Sequence, residues 1–130
     1  MKEILKEDAE LIKARIKELK QDLKDLAGEF KQTLGESSET WHDNSPWDNA
    51  KAKEAVYIAE LEKLQYISNT HKVSRQSKIS PVGKNHEVDF NGRKVKIFLA
   101  GDFSLRTGQK IDGYTVVTKD SPIARQLIAP

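Results

Sequence analysis

Net negative charge is concentrated in one stretch of the chain. Residues 36–50 carry Glu36, Glu39, Asp43 and Asp48 and no lysine or arginine, a net charge of −4. His42 and Ser45 lie in the same stretch, and Trp41 and Trp47 flank its centre. Serine, histidine and aspartate are the residue types of a nucleophilic triad, but a triad is defined by geometry, and neighbours along a chain are too thin a signal for one. His42 reads as a solvent-facing loop residue. Asp48 has a structural reading as the third residue of a helix opened by Ser45 and Pro46, where a carboxylate faces free amides and the helix dipole. Asp43 fits an Asx-type turn. Trp41 and Trp47 can pack on each other across the loop and, with Pro46, fix its shape. There is no cysteine, which excludes disulfides and thiolate zinc sites and suits a reducing cytoplasm.

The remaining charge is spread differently. Residues 1–35 balance eight bases against eight acids, residues 51–75 carry +2, and residues 76–130 carry +4. The total for 130 residues is +2, too little for strong bulk attraction to nucleic acid, and sequence-specific DNA binding is not expected. Charged residues make up 32% and hydrophobic residues 37%, with a mean hydropathy of −0.66. Such a composition fills a compact core poorly but suits a long helical element with solvated faces. No apolar run is long enough to span a membrane, and Met1-Lys2-Glu3 leads into alternating charge rather than a signal peptide.

Two helices are needed to hold the acidic stretch. Over residues 3–34, Leu5, Ala9, Ile12, Ile16, Leu19, Leu23, Leu26 and Phe30 occupy consecutive heptad positions, so this seam must face another helix. At about 1.5 Å per residue that helix is about 48 Å long. Gly35 is a plausible stop. Ser45-Pro46-Trp47-Asp48 opens a second helix with a cap, a first-turn proline and an acid. It runs from Pro46 to Thr70 or Val73, with a seam of Ala50, Tyr57, Leu61, Leu64 and Ile67 or Ser68. Ala52, Ala55, Val56 and Ala59 are expected to widen the apolar surface and allow close helix approach. A short polar loop makes the pair an antiparallel coiled-coil hairpin over residues 1–74, with residues 36–48 at its tip.

Residues 75–130 change character. Glu87–Phe90 and Lys94–Ala100 flank Asn91-Gly92 and predict a β-hairpin. Val95, Ile97 and Leu99 alternate with Lys94, Lys96 and Phe98, which gives one buried face. Tyr114–Thr118 predicts a third strand, and Asp120-Ser121-Pro122 opens a short helix to Ile128. The fold class is α+β.

In order and in motif, this sequence resembles the Gre family of bacterial transcript-cleavage factors, the GreA/GreB type. Asp120-Ser-Pro-Ile-Ala-Arg-Gln-Leu-Ile128 is similar to the family's Ser-Pro-Ile-Gly/Ala-Arg segment, and Ala100-Gly-Asp102 to its preceding stretch. Trp41-His-Asp-Asn-Ser-Pro-Trp-Asp-Asn-Ala50 is similar to the family's tip, with Asp43 and Asp48 in the places of its two acids. The resemblance implies a coiled-coil hairpin followed by an FKBP-like domain. It implies binding to bacterial RNA polymerase at the secondary channel, in the cytoplasm, and indirect contact with the nascent RNA 3′ end. Asp43 and Asp48 would be the catalytic and metal-binding residues, sharing Mg²⁺ with the polymerase, whose own activity cleaves backtracked RNA. The factor would not itself be an enzyme. Asp120, Ser121 and Pro122 would help the C-terminal domain dock on the polymerase, beside their role in starting a helix.

The acids are five residues apart here, against three in the family, and the second is Asp rather than Glu. A Gre-fold factor that occupies the channel without promoting cleavage is therefore a second expectation. A coiled-coil or chaperone-like partner-binding protein with no polymerase role is a third, and prolyl isomerisation, inferred from an FKBP-like fold alone, is weak. Family members also continue about thirty residues past Ser-Pro-Ile with the last strands of the domain. A sheet lacking them would expose an edge strand.

Overall fold

The computed structural model describes residues 2–36, 45–74 and 80–128, with side chains described over 2–29, 48–74 and 80–128. In chain order the elements are β1 (Glu3–Ile4), α1 (Lys6–Glu36), α2 (Ser45–Thr70), β2 (Lys72–Val73), β3 (Asn85–Phe90), β4 (Arg93–Leu99), β5 (Lys110–Ile111), β6 (Tyr114–Val117) and α3 (Pro122–Ile128). Two compact units result, one of Lys13–Tyr66 and one of Met1–Ile12 with Ile67–Pro130.

The helical unit is built by the heptad. Leu19 and Leu26 of α1 and Leu64 of α2 are almost entirely buried, while Ile16, Leu23, Tyr57 and Leu61 are half-buried beside them. Arg15 grips Glu60 with two hydrogen bonds, Nε to Oε2 at 2.6 Å and Nη2 to Oε1 at 2.9 Å. Further along α1, Asp22, Asp25, Leu26 and Glu29 share a shallow groove with Lys53 and Tyr57. Rising numbers on one helix meet falling numbers on the other, so the pair is antiparallel. The alanine-rich stripe does not pack between them. Ala52, Ala55 and Ala59 are exposed, and Val56 is 62% exposed. They lie on a different side of α2 from Leu64 and Tyr57, because at about 100° per residue Ala52, Ala55, Val56 and Ala59 share one arc of the helix and Tyr57, Leu61 and Leu64 share another.

In the other unit, the chain start departs from the predicted helix. Residues 3 and 4 form β1, which pairs in parallel with β2, Glu3 beside Lys72 and Ile4 beside Val73. Helix α1 therefore begins at Lys6, and α2 ends at Thr70 because the next residues supply this pairing. The main sheet has the order β3-β4-β6-β5. Strands β3 and β4 are antiparallel, β4 and β6 parallel, and β6 and β5 antiparallel. Both antiparallel connections are two-residue turns with positive φ at each position, Asn91 (53°) and Gly92 (80°), then Asp112 (53°) and Gly113 (84°). This is the turn geometry that matches strand twist. The core gathers Leu5, Val82, Leu99, Ala100, Val116 and Ala124, with Phe98, Val117 and Leu127 packed against it. Among the described residues, no helix is long and apolar enough to cross a membrane.

Candidate functional site

The tip carries the residues with the strongest chemical reading. Trp41, His42 and Asp43 lie outside the described residues. Pro46 and Trp47 fall in the first turn of α2, and their side chains also lie outside the description. Asp48 is in that first turn and exposed, so one carboxylate is held on helical backbone and open to solvent. Among the described residues, no three or more His, Asp or Glu side chains converge in a way that would hold a metal ion. Asp48 can contribute oxygens to a cation held elsewhere, which matches the habit of Mg²⁺ to take one or two carboxylates and keep several waters.

The second predicted segment behaves as its sequence requires. Ser121 Oγ accepts from the backbone N–H of Ala124 at 3.1 Å, and the Ser121 carbonyl accepts from Arg125 N–H at 3.1 Å. Ser121 is thus the N-cap of α3, and Pro122 takes the first helical position, where its missing N–H costs nothing. The Thr118 hydroxyl donates to Asp120. Asp120 and Pro122 are exposed and Ser121 half-buried, so the carboxylate and the ring face solvent while the cap turns inward.

Two polar clusters were not legible in the sequence. In the first, Asp8 is fully buried in the opening turn of α1. Its Oδ1 accepts from Ser104 Oγ at 2.7 Å and from Arg106 Nε at 2.8 Å. Ser104 Oγ in turn accepts from Arg106 N–H at 3.0 Å, and Thr107 Oγ1 donates to the Ser104 carbonyl at 2.8 Å. The Arg106 guanidinium also sits 5.5 Å from the centre of the Phe98 ring, within cation–π range. Asp8 Oδ2 and Arg106 Nη2 are buried without a hydrogen-bond partner among the described residues. One residue of helix α1 thereby sets the path of the loop that follows β4.

The second cluster clamps the chain start. Lys119 Nζ lies 2.6 Å from Glu3 Oε1 and 3.8 Å from Asp102 Oδ2. Glu3 N–H donates to Asp102 Oδ2, and Asp102 N–H to the Glu3 carbonyl, both at 2.7 Å. On the other side, Lys72 N–H donates to the Lys2 carbonyl and Ser74 N–H to the Ile4 carbonyl. The hydrogen bond from Lys119 holds the Glu3 carboxyl below the usual carboxylate range; partial burial opposes this, and the charge of Lys119, a bond from Ser74 and the charge of Lys72 add to it. Gly101 makes the approach possible, since a Cβ there would collide with the Glu3 carbonyl. The Ala100-Gly101-Asp102 stretch singled out in the sequence is therefore a seat for residues 3 and 4.

A paired antiparallel helical unit, a mixed four-stranded sheet and a capped helix beginning Ser-Pro-Ile together define a Gre-like fold. The structure of the transcription factor Gfh1 matches over 96% of this chain and 80% of its own, with 18% identity and a TM-score of 0.52. The crystal structure of GreA factor homolog 1 (Gfh1) of Thermus thermophilus matches over the same shares, with 16% identity and a TM-score of 0.55. No family model matches the sequence, and no curated protein matches it significantly.

Proposed function

We infer that this chain is a Gre-type transcription factor, one that enters the secondary channel of RNA polymerase by its helical hairpin and stimulates cleavage of backtracked RNA. The supporting observation is the likeness in fold, along 96% of the chain, to structures whose own description is that of a transcription factor and a GreA homologue. Asp43 and Asp48 supply carboxylate oxygens beside the polymerase's magnesium, and Asp48 starts from an exposed position on the first turn of α2. A divalent metal held there would supply Lewis-acid stabilisation of the charge that develops on the phosphate oxygens. The protein's own part is to place acids, exclude alternative poses and dock through Asp120, Ser121 and Pro122.

The experiment is RNA shortening in stalled, backtracked polymerase complexes with and without the protein. Stimulation that falls at least about tenfold in Asp43→Asn and Asp48→Asn supports the reading. Full stimulation by both variants removes the metal role, and no binding to core polymerase removes the reading altogether. The five-residue spacing of the two acids favours one second reading, a factor that fills the channel without promoting cleavage. Slowed RNA synthesis with no shortening is its signature.

A further inference from the structure

We propose that the outward face of α2 is a docking surface for a second copy of this chain, the two α2 helices lying antiparallel about a two-fold axis between Ala55 and Val56. Ala52, Ala55, Val56 and Ala59 share the arc of α2 that looks away from Tyr57, Leu61 and Leu64. All four are exposed, Val56 at 62%. Four exposed charges border this apolar arc, Asp48 and Lys51 on its N-terminal side and Glu62 and Lys63 on its C-terminal side. The remaining charges of the stretch belong to the α1 side. Arg15 holds Glu60, Lys53 lines the groove shared with α1, and Glu54 is half-buried.

The arrangement of this face names its occupant, because it reads as its own complement. Asp48 and Lys63, Ala52 and Ala59, and Ala55 and Val56 are three pairs of positions centred on the same point. Two copies run antiparallel about that point set Asp48 against Lys63 of the second copy and Ala52 against its Ala59. Lys51 then faces Glu62 of the second copy, about 3 Å along the axis from level. Each of these charge pairs occurs twice by symmetry, and in each the signs are opposite. A parallel pair in register would instead set Lys51, Glu62 and Lys63 each against itself, and such flanking charges decide the orientation of paired helices. Lys63 also acts on Glu60 of its own helix, and an ammonium with three donors can serve a neighbour and a second copy together. Exposed ion pairs contribute little affinity, so they select the partner and its direction. The contact of Val56 with its counterpart, and the close approach allowed by Ala52 and Ala59, supply the apolar burial. From position 48 to position 63 the contact is about 24 Å long. That is a small interface, so the dissociation constant is expected on the order of 10–100 μM. The inference goes beyond the polymerase reading and stands without it.

The test is sedimentation equilibrium of the full chain from about 1 to about 500 μM, a range that brackets that constant. A monomer–dimer equilibrium is expected. Val56→Glu places two like charges at the two-fold axis, so it should weaken self-association at least about tenfold while leaving the melting curve unchanged. Lys51→Glu and Glu62→Lys should each weaken it about threefold, and the double variant should restore it. The chain has no cysteine, so Val56→Cys reports the axis directly. Mild oxidation should link two copies through position 56 and leave Lys53→Cys, on the α1 side, unlinked. The proposal is overturned by a monomer across the whole range, by a dimer that survives Val56→Glu, by a double variant that stays as weak as the single ones, or by equal linking at position 53.

Discussion

Arg106 reaches back 98 residues to set its Nε 2.8 Å from Oδ1 of Asp8, a carboxylate with no exposure at all. Placing two charges out of water costs several kcal/mol per ion, which their mutual attraction roughly offsets, so the pair contributes little net stability. Removing one member is a different matter, because the other stays buried without an answer.

Asp8→Ala is therefore expected to cost about 3–5 kcal/mol in urea unfolding. Replacing both partners with apolar residues of similar size, Asp8→Leu with Arg106→Met, should recover most of that loss. A double variant as unstable as the single one would show that Ser104 and the helix start, not the ion pair, carry the effect.

Glu3 gives a pH dependence of known sign. Its carboxyl titrates below the usual range because Lys119 donates to it. A group whose folded pKa is lowered stabilises the fold fully above the ordinary carboxylate pKa, and that contribution disappears as pH falls through the lowered value. Glu3→Gln should thus lower stability by about 1 kcal/mol at neutral pH. Acid titration of unfolding should bring the two proteins together as pH drops below the ordinary carboxylate range; a gap that persists into strong acid would mean the loss came from packing.

Gly101→Ala should destabilise the sheet unit by about 1–3 kcal/mol, because the new methyl collides with the Glu3 carbonyl rather than with a flexible side-chain end. Thermal unfolding measures it. Unchanged stability would mean that residues 3 and 4 leave their seat at little cost.

At the α3 corner, the structural and docking roles separate by residue. Ser121→Ala loses the bond to Ala124 N–H and should cost about 1 kcal/mol. Asp120→Ala removes an exposed side chain and should stay within about 0.5 kcal/mol of the parent. If this corner meets the polymerase, Asp120→Ala weakens polymerase binding with no shift in melting. Unaltered affinity would confine the segment to starting a helix.

Much of this architecture could be read locally. The buried repeat Leu19, Leu26 and Leu64 follows from heptad spacing. The β3–β4 hairpin follows from Asn91-Gly92, and α3 from Ser121-Pro122. The parallel strand β1 was not legible, because Leu5 continues the helical period and the partner lies at residues 72 and 73. Strand β5 is two residues long, too short for any alternation to register, although Asp112-Gly113 carries the turn signal that marks it.

Sequence alone settled that two long helices form, that one hairpin turns at Asn91-Gly92 and that the net negative charge lies over residues 36–50, since periodicity, capping and turn chemistry act within a few neighbouring residues. Only the tertiary structure decided that Asp8 answers Arg106, that Gly101 seats Glu3, and that β1 pairs with β2. Those relationships join residues far apart in the chain, and a buried charge or a close backbone contact finds its partner through packing, which leaves no mark on local spacing.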